Sequence, residues 1–269
     1  MIRPLITSVQ NQRIKDAAKL RDRRQRQRAG KCLIDGAREI SRAVKAGTQL
    51  TEIFFCEDLC QSSESSRLLD TLRNTEAVLQ PCTLEVFEKL AFGDRAEGFV
   101  AVAETPHRKL EDLKLPAEAL VAVLVGIEKP GNVGAILRSA DAAGVNAVIV
   151  ADGATDLYNP NCIRASLGTI FALPVCEASS EESLLWLRSR KGTLFAARVD
   201  GAIEYAQADF RGKVALILGS EADGLPDDWH ADDIQAIKLP MNGTADSLNV
   251  SATAAVLFYE ALRQRRLCG

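Results

Sequence analysis

The sequence predicts an α/β protein of two domains, the second built on a parallel sheet. Three observations carry that prediction. From Leu120 onward, short apolar runs alternate regularly with helix-like segments. The first of these runs, 119–125, is apolar throughout, as in a strand buried on both faces. Before it lies a stretch with few apolar residues and two prolines, Thr105-Pro106-His107-Arg108 to Lys114-Leu115-Pro116, which reads as a linker. A chain of 269 residues has room for two cores. The expected division is 1–105, a linker at 106–117, and 118–269.

In the first domain, 9–28 reads as one polar, basic helix. A short strand at 31–34 leads into a helix at 37–46 that Gly47 closes. Strands follow at 52–55, 77–79 and 99–103, with helices at 65–73 and 84–90 between them, giving a small α/β sandwich. In the second domain, the strand at 119–125 precedes a helix at 132–143. Its apolar stripe is Val133, Ile136, Leu137 and Ala140, and Gly144 ends it. A strand at 147–151 follows. Asn159 before Pro160 reads as an N-cap and first helical position for a helix to Leu167. Strands at 173–176, 194–199, 214–218 and 234–239 complete the sheet. The last helix, about 248–266, is apolar nearly all round and is expected to be buried, in part against another subunit.

Charge is distributed unevenly. Residues 1–31 hold ten Lys and Arg against Asp16 and Asp22, so about +8; with −3 overall, the remainder carries about −11. Arg21, Arg23, Arg24, Arg26 and Arg28 crowd one stretch. Such an arm suits a polyphosphate partner, because bound cations release the counterions condensed on nucleic acid; a solvated helix face is the plainer alternative. No apolar run is long enough to span a bilayer, and the N-terminus lacks the apolar core of a signal peptide. Seven cysteines, an odd number without zinc-site spacing, fit reduced thiols in a cytoplasmic protein without a metal.

Several chemistries fall away. The two histidines, His107 and His230, sit near no candidate nucleophile in sequence, and no Gly-x-Ser-x-Gly elbow is present. The run from Gly126 to Gly131 has phosphate-loop spacing, but Asn132 stands where lysine is required. No Gly-x-Gly-x-x-Gly follows a strand, which disfavours a dinucleotide enzyme. What remains are three polar loops, each after a strand. The first carries Asn132 and Arg138. Asn132 is either an N-cap or a group aimed at substrate; Arg138 is either paired with Asp141 or presented at the sheet's carboxyl edge. The second carries Gly219, where a ligand can approach the backbone, then Glu221 and Gly224, the last suited to a tight turn. The third carries Leu239, Met241, Ser247, Leu248 and Asn249; Ser247 and Asn249 also suit caps of the final helix.

Together, Asn132-x-Gly134-Ala135-Ile136-x-Arg138-Ser139-Ala140, Leu218-Gly219-x-Glu221-x-x-Gly224-Leu225 and Leu239-Pro240-Met241-x-Gly243 with Ser247-Leu248-Asn249-Val250-Ser251 resemble the three ordered motifs of the SpoU, or TrmH-like, RNA 2′-O-ribose methyltransferases of the SPOUT superfamily. Asn159-Pro160, Arg164-Ala165-Ser166-x-Gly168 and Leu173-Pro174-Val175 resemble a further family segment. The likeness covers 120–262. Ser139 departs from the threonine of many members. More weakly, 30–103, through Leu33-Ile34-Asp35-Gly36-x-Arg38-Glu39, resembles the L30e-like substrate-binding domain of the rRNA-modifying branch.

The resemblance implies a deep trefoil knot in the second domain and an obligate homodimer with the active site shared between subunits. It implies S-adenosylmethionine held through backbone groups of Gly219, Leu239 and Leu248, with Met241 beside the adenine. It implies transfer of the methyl to a ribose 2′-hydroxyl of RNA, rRNA ahead of tRNA. Arg138 would steady the developing alkoxide, Asn132 and Asn249 would hold the ribose or Arg138, and Ser247 and Glu221 would fix the loops. The alternatives are a tRNA methyltransferase or an RNA-binding protein that has lost transfer.

Overall fold

The computed structural model describes residues 2–92 and 97–267; Cys268 lies outside them. Its elements, in chain order, are α1 (Gln12–Lys19), α2 (Arg23–Ala29), β1 (Lys31–Asp35), α3 (Ala37–Lys45), β2 (Leu50–Phe55), α4 (Ser63–Arg73), β3 (Val78–Pro81), α5 (Leu84–Glu88), β4 (Phe99–Glu104), β5 (Leu120–Val125), α6 (Pro130–Ala143), β6 (Ala147–Ala151), α7 (Pro160–Ala165), α8 (Thr169–Ala172), β7 (Val175–Ala178), α9 (Ser180–Ser189), β8 (Thr193–Ala197), β9 (Ile203–Glu204), β10 (Val214–Leu218), β11 (Ile234–Lys238) and α10 (Val250–Arg266).

Two units emerge. The first comprises Met1–Pro106 together with Asp156–Ala172; the second comprises His107–Thr155 and Leu173–Gly269. The sequence offers no sign that α7 and α8 belong with the first unit. Side chains supply the reason. Arg26, which reads as a free cation in the sequence, is buried. Its Nε and Nη2 donate to Asp156 at 2.8 and 2.6 Å, and its Nη1 donates to the Leu20 and Arg21 carbonyls. Arg42 donates to the Leu167 carbonyl at 2.6 Å and Arg164 to that of Phe92 at 2.9 Å. Gly168 sits so close to Glu39 that a Cβ would stand 2.8 Å from its Cα.

The first unit's sheet has the order β1-β4-β2-β3, antiparallel except for the β2–β3 pair. One face packs Leu33, Phe54, Val86, Phe87 and Val100 with Ile14 of α1. The expected single helix at 9–28 is two. Asp22 accepts from the Gln25 N–H and so caps a new helix, which Gly30 closes in the left-handed conformation at φ 63°.

The second unit is a seven-stranded parallel sheet of order β7-β6-β5-β10-β8-β11-β9. β5 and β6 are buried at every position, as their unbroken apolar runs require. The chain leaves β5 toward β6 and β7, then continues from β8 on the other side of β10. The strand order therefore reverses beside β5, and open α/β sheets bind ligands at the carboxyl ends near such a reversal. α9, with a Ser179–Glu182 capping box, adds a helix that apolar periodicity does not signal. α10 packs on α6, but one face only is buried, by Val250, Ala254, Leu257, Phe258 and Ala261. Tyr259 remains 51% exposed, so within this chain the helix is not enclosed all round. No helix among the described residues is long and apolar enough to cross a membrane.

A composite candidate active site in the second unit

A cavity of about 670 Å³ opens over the carboxyl ends of β8, β10 and β11. Each strand's apolar run ends there in a polar loop. Gly219 follows β10, Leu239 and Met241 follow β11, and Ser247 and Leu248 precede α10; all five line the cavity, as does Glu221. Four carboxylates besides Glu221 share the wall (Asp200, Glu204, Asp223 and Asp246) against Arg198, Lys238 and His230. Arg198 is already closed on Asp200 by two bonds, at 2.9 and 2.6 Å. The wall therefore favours a cationic ligand. Sequence reading overlooked His230 and the stretch from Arg198 to Glu204, because neither carries a motif; only the sheet order brings them here.

Gly219 has a different necessity from the one its sequence context suggests. A Cβ there would overlap the Gly224 carbonyl and stand 2.8 Å from the Leu225 nitrogen. The chain's own turn demands the glycine, before any ligand does. That turn is clasped by the Ser220–Gly224 bridge, and Gly224 adopts φ 68° as its turn role requires.

Glu221 is the hub beside the cavity. Its Oε2 meets the Lys129 ammonium at 2.9 Å, and its Oε1 accepts a short bond from the Asn249 amide. Asn132 and the Val250 N–H also donate toward it. The carboxylate thus closes the first turns of both α6 and α10, where unpaired N–H groups favour negative charge. Lys129, and then these hydrogen bonds, hold the carboxyl below its ordinary range. The Asn249 amide has a second task. Its Oδ1 accepts from the Ser251 N–H at 3.0 Å and caps α10. Asn132 is not a cap: Lys129 occupies that position, Pro130 follows it, and Asn132 lies within the first turn, 3.4 Å from the Asn249 amide. Asn249, and not Ser247, is the N-cap of α10.

Arg138 stands apart. It is exposed on α6, does not line the cavity of its own chain, and makes no hydrogen bond or ion pair among the described residues. Pairing with Asp141 is therefore not formed. The structure brings Asn132, Glu221 and Asn249 together and places Ser247, Leu248, Gly219, Leu239 and Met241 on one cavity, and it leaves Arg138 outside. Among the described residues no cluster of His, Cys, Asp and Glu could hold a metal ion. The six described cysteines are free, and burial raises the thiol pKa of five of them.

Comparison with known proteins identifies the family. A 23S rRNA (uridine(2479)-2′-O)-methyltransferase of Streptomyces viridochromogenes is 33% identical over 257 residues, covering 92% of this chain and 88% of that protein. The crystal structure of an RNA 2′-O ribose methyltransferase, 42% identical, superposes with a TM-score of 0.86 over 98% of this chain and 100% of the other. The SpoU methyltransferase AviRb of Streptomyces viridochromogenes, solved with AdoMet, is 30% identical, with a TM-score of 0.86 over 97% of this chain and 100% of that one. Residues 11–101 match the MRM3-like substrate binding domain. Residues 119–259, which contain every loop of the cavity, match the SpoU rRNA Methylase family, and the chain belongs to that family.

Proposed function

We propose that this protein methylates a ribose 2′-hydroxyl of 23S-type rRNA with S-adenosylmethionine. The observation that carries this reading is the cavity itself: the loops after β8, β10 and β11 meet on it, under an acidic wall. The residues present fit the donor. The volume lies within the range of about 300–1,000 Å³ usual for small-molecule sites. Leu239, Met241 and Leu248 offer apolar surface for an adenine, and the carboxylates suit a cationic ligand. Backbone groups of Gly219, Leu239 and Leu248 would hold the donor, with Met241 beside the adenine. When bound, it supplies a methyl group on positively charged sulfur, open to in-line attack by the hydroxyl.

The chain's task is orientation and charge. Glu221, Asn132 and Asn249 lock the first turns of α6 and α10 to each other, and the loops so held seat the ribose. Arg138 steadies the oxygen as it gains negative charge. A guanidinium does not give up its own proton at working pH, so the hydroxyl proton passes to another acceptor, such as an RNA phosphate. Because Arg138 is unpartnered and off its own cavity, it acts in the site of a second copy, within a homodimer. α10's exposed Tyr259, together with Leu248 before it and Leu267 after it, provides apolar surface for that contact. The trefoil knot belongs to the same reading, and the reaction takes place in the cytoplasm.

Arg138→Ala is expected to abolish methyl transfer to rRNA while calorimetry shows S-adenosylmethionine binding nearly unchanged. Mixing it with a variant defective in the donor cavity should regain part of the activity, since one site of the mixed dimer is intact. Full turnover by Arg138→Ala would refute its assignment, and failure to bind the donor would refute the cavity's.

A further inference from the structure

Lys129 lies just outside the motif residues, yet its ammonium meets the carboxylate on which they converge. Its main chain is fixed: its carbonyl accepts from the Asn132 and Val133 N–H groups at 3.0 and 3.2 Å, and Pro130 follows at the first helical position. Its side chain therefore starts from a rigid helix end. The Lys129 side chain is 74% exposed and that of Glu221 28%, so the pair contributes little to global stability. Its consequence is local. With one Glu221 oxygen on Lys129, the other faces the Asn249 amide. The Asn249 oxygen is taken by the Ser251 N–H and, at 2.6 Å, by its hydroxyl. Both ends of that amide are then committed, and the two residues before it, Ser247 and Leu248, are cavity wall.

We infer that Lys129 is a positioning residue for the methyl-donor pocket: it fixes Glu221 as a clasp between α6 and α10, and through Asn249 sets the backbone at Ser247 and Leu248. This rests on the reading of the cavity as the donor site. Among the described partners of Glu221, Lys129 alone is charged; Asn132, Asn249 and the Val250 N–H are neutral donors. Without the ammonium, one carboxylate oxygen loses its partner and the carboxyl takes up a proton more readily. A carboxylate held on one side only can swing away from the Asn249 amide.

The test compares Lys129→Met, Lys129→Arg and Glu221→Gln in the full chain. Calorimetry with S-adenosylmethionine, thermal melting, and titration of the Glu221 carboxyl by NMR in the donor-free protein are the readouts. Lys129→Met is expected to weaken donor binding by about three- to tenfold, to move the Glu221 titration upward, and to leave the melting temperature unchanged. In turnover the loss should fall on KM for the donor more than on kcat. Lys129→Arg should restore both affinity and titration. Parent affinity and a parent titration in Lys129→Met would overturn the inference. If Glu221→Gln also binds and turns over like the parent, the failure lies instead with the site assignment of Glu221.

Discussion

Asp35 is a carboxyl that its surroundings favour protonated. Burial pushes it up to about 6, with Glu39 and Glu97 adding to the rise, while the Phe92 N–H at 2.5 Å and Arg164 pull it back. The folded carboxyl therefore binds its proton more tightly than the unfolded one, whose ordinary value is 3.8. Between those values the native state holds more protons, so stability falls as pH rises through that window and stays lower above it. The penalty at neutral pH is about 2–3 kcal/mol. Asp35→Asn keeps an acceptor for the Phe92 N–H without the charge. It should flatten the stability profile between about pH 4 and 7 and raise the urea midpoint at the upper end; an unchanged slope would assign the dependence to another group. The sequence shows Asp35 only as part of a motif, because burial and the nearness of Glu97 are products of folding. Gly219 illustrates the same limit: its position was legible, its steric cause was not.

At the level of elements, α1 and α2 show which charges folding uses. Arg13 is committed to Glu52 and Gln80, Arg21 to the Ala91 carbonyl and the face of Phe92, and Arg26 to Asp156. Lys15, Arg24 and Arg28 are exposed, and their side chains make no ion pair or hydrogen bond among the described residues. Arg24 and Arg28 share a helix face, one turn apart. The double variant Arg24→Gln/Arg28→Gln should lower the salt slope of RNA binding by about 1.4–1.8, with the melting temperature preserved. Arg26→Ala should instead destabilise the protein by about 3 kcal/mol, since it strips the partner from the part-buried Asp156 and the donor from the Leu20 and Arg21 carbonyls; chemical denaturation would reveal it. Sequence composition reports the sum of these charges. It cannot separate the cation that closes a core from the cation that faces water. Strands were more legible: each expected one exists, with ends shifted by up to two residues, because continuous apolar runs leave little choice but burial. Two-residue β9 and the break at Leu20–Asp22 had no such signal.

For the molecule as a whole, the proposed homodimer gives a direct prediction. Sedimentation should show a dimer, and Tyr259→Glu should shift it toward monomer and remove methyl transfer, since Arg138 would lose its site. A monomeric variant with parent activity would exclude a shared site. The motif loops were legible because they each end an apolar strand and because their order is distinctive. Their convergence depends on the strand order, which no periodicity encodes: with β10 between β5 and β8, Glu221 reaches Lys129 and Asn132 at the start of α6.

The first unit is assembled from two separate stretches of chain, and this limits how the protein can be recombined with its relatives. A chimera exchanging only the first 105 residues would import a foreign surface against which Asp156, Arg164 and Gly168 had never been matched. A graft that carries 156–172 along with its N-terminal donor keeps those pairs native, so the first unit is transplanted as two cassettes or not at all.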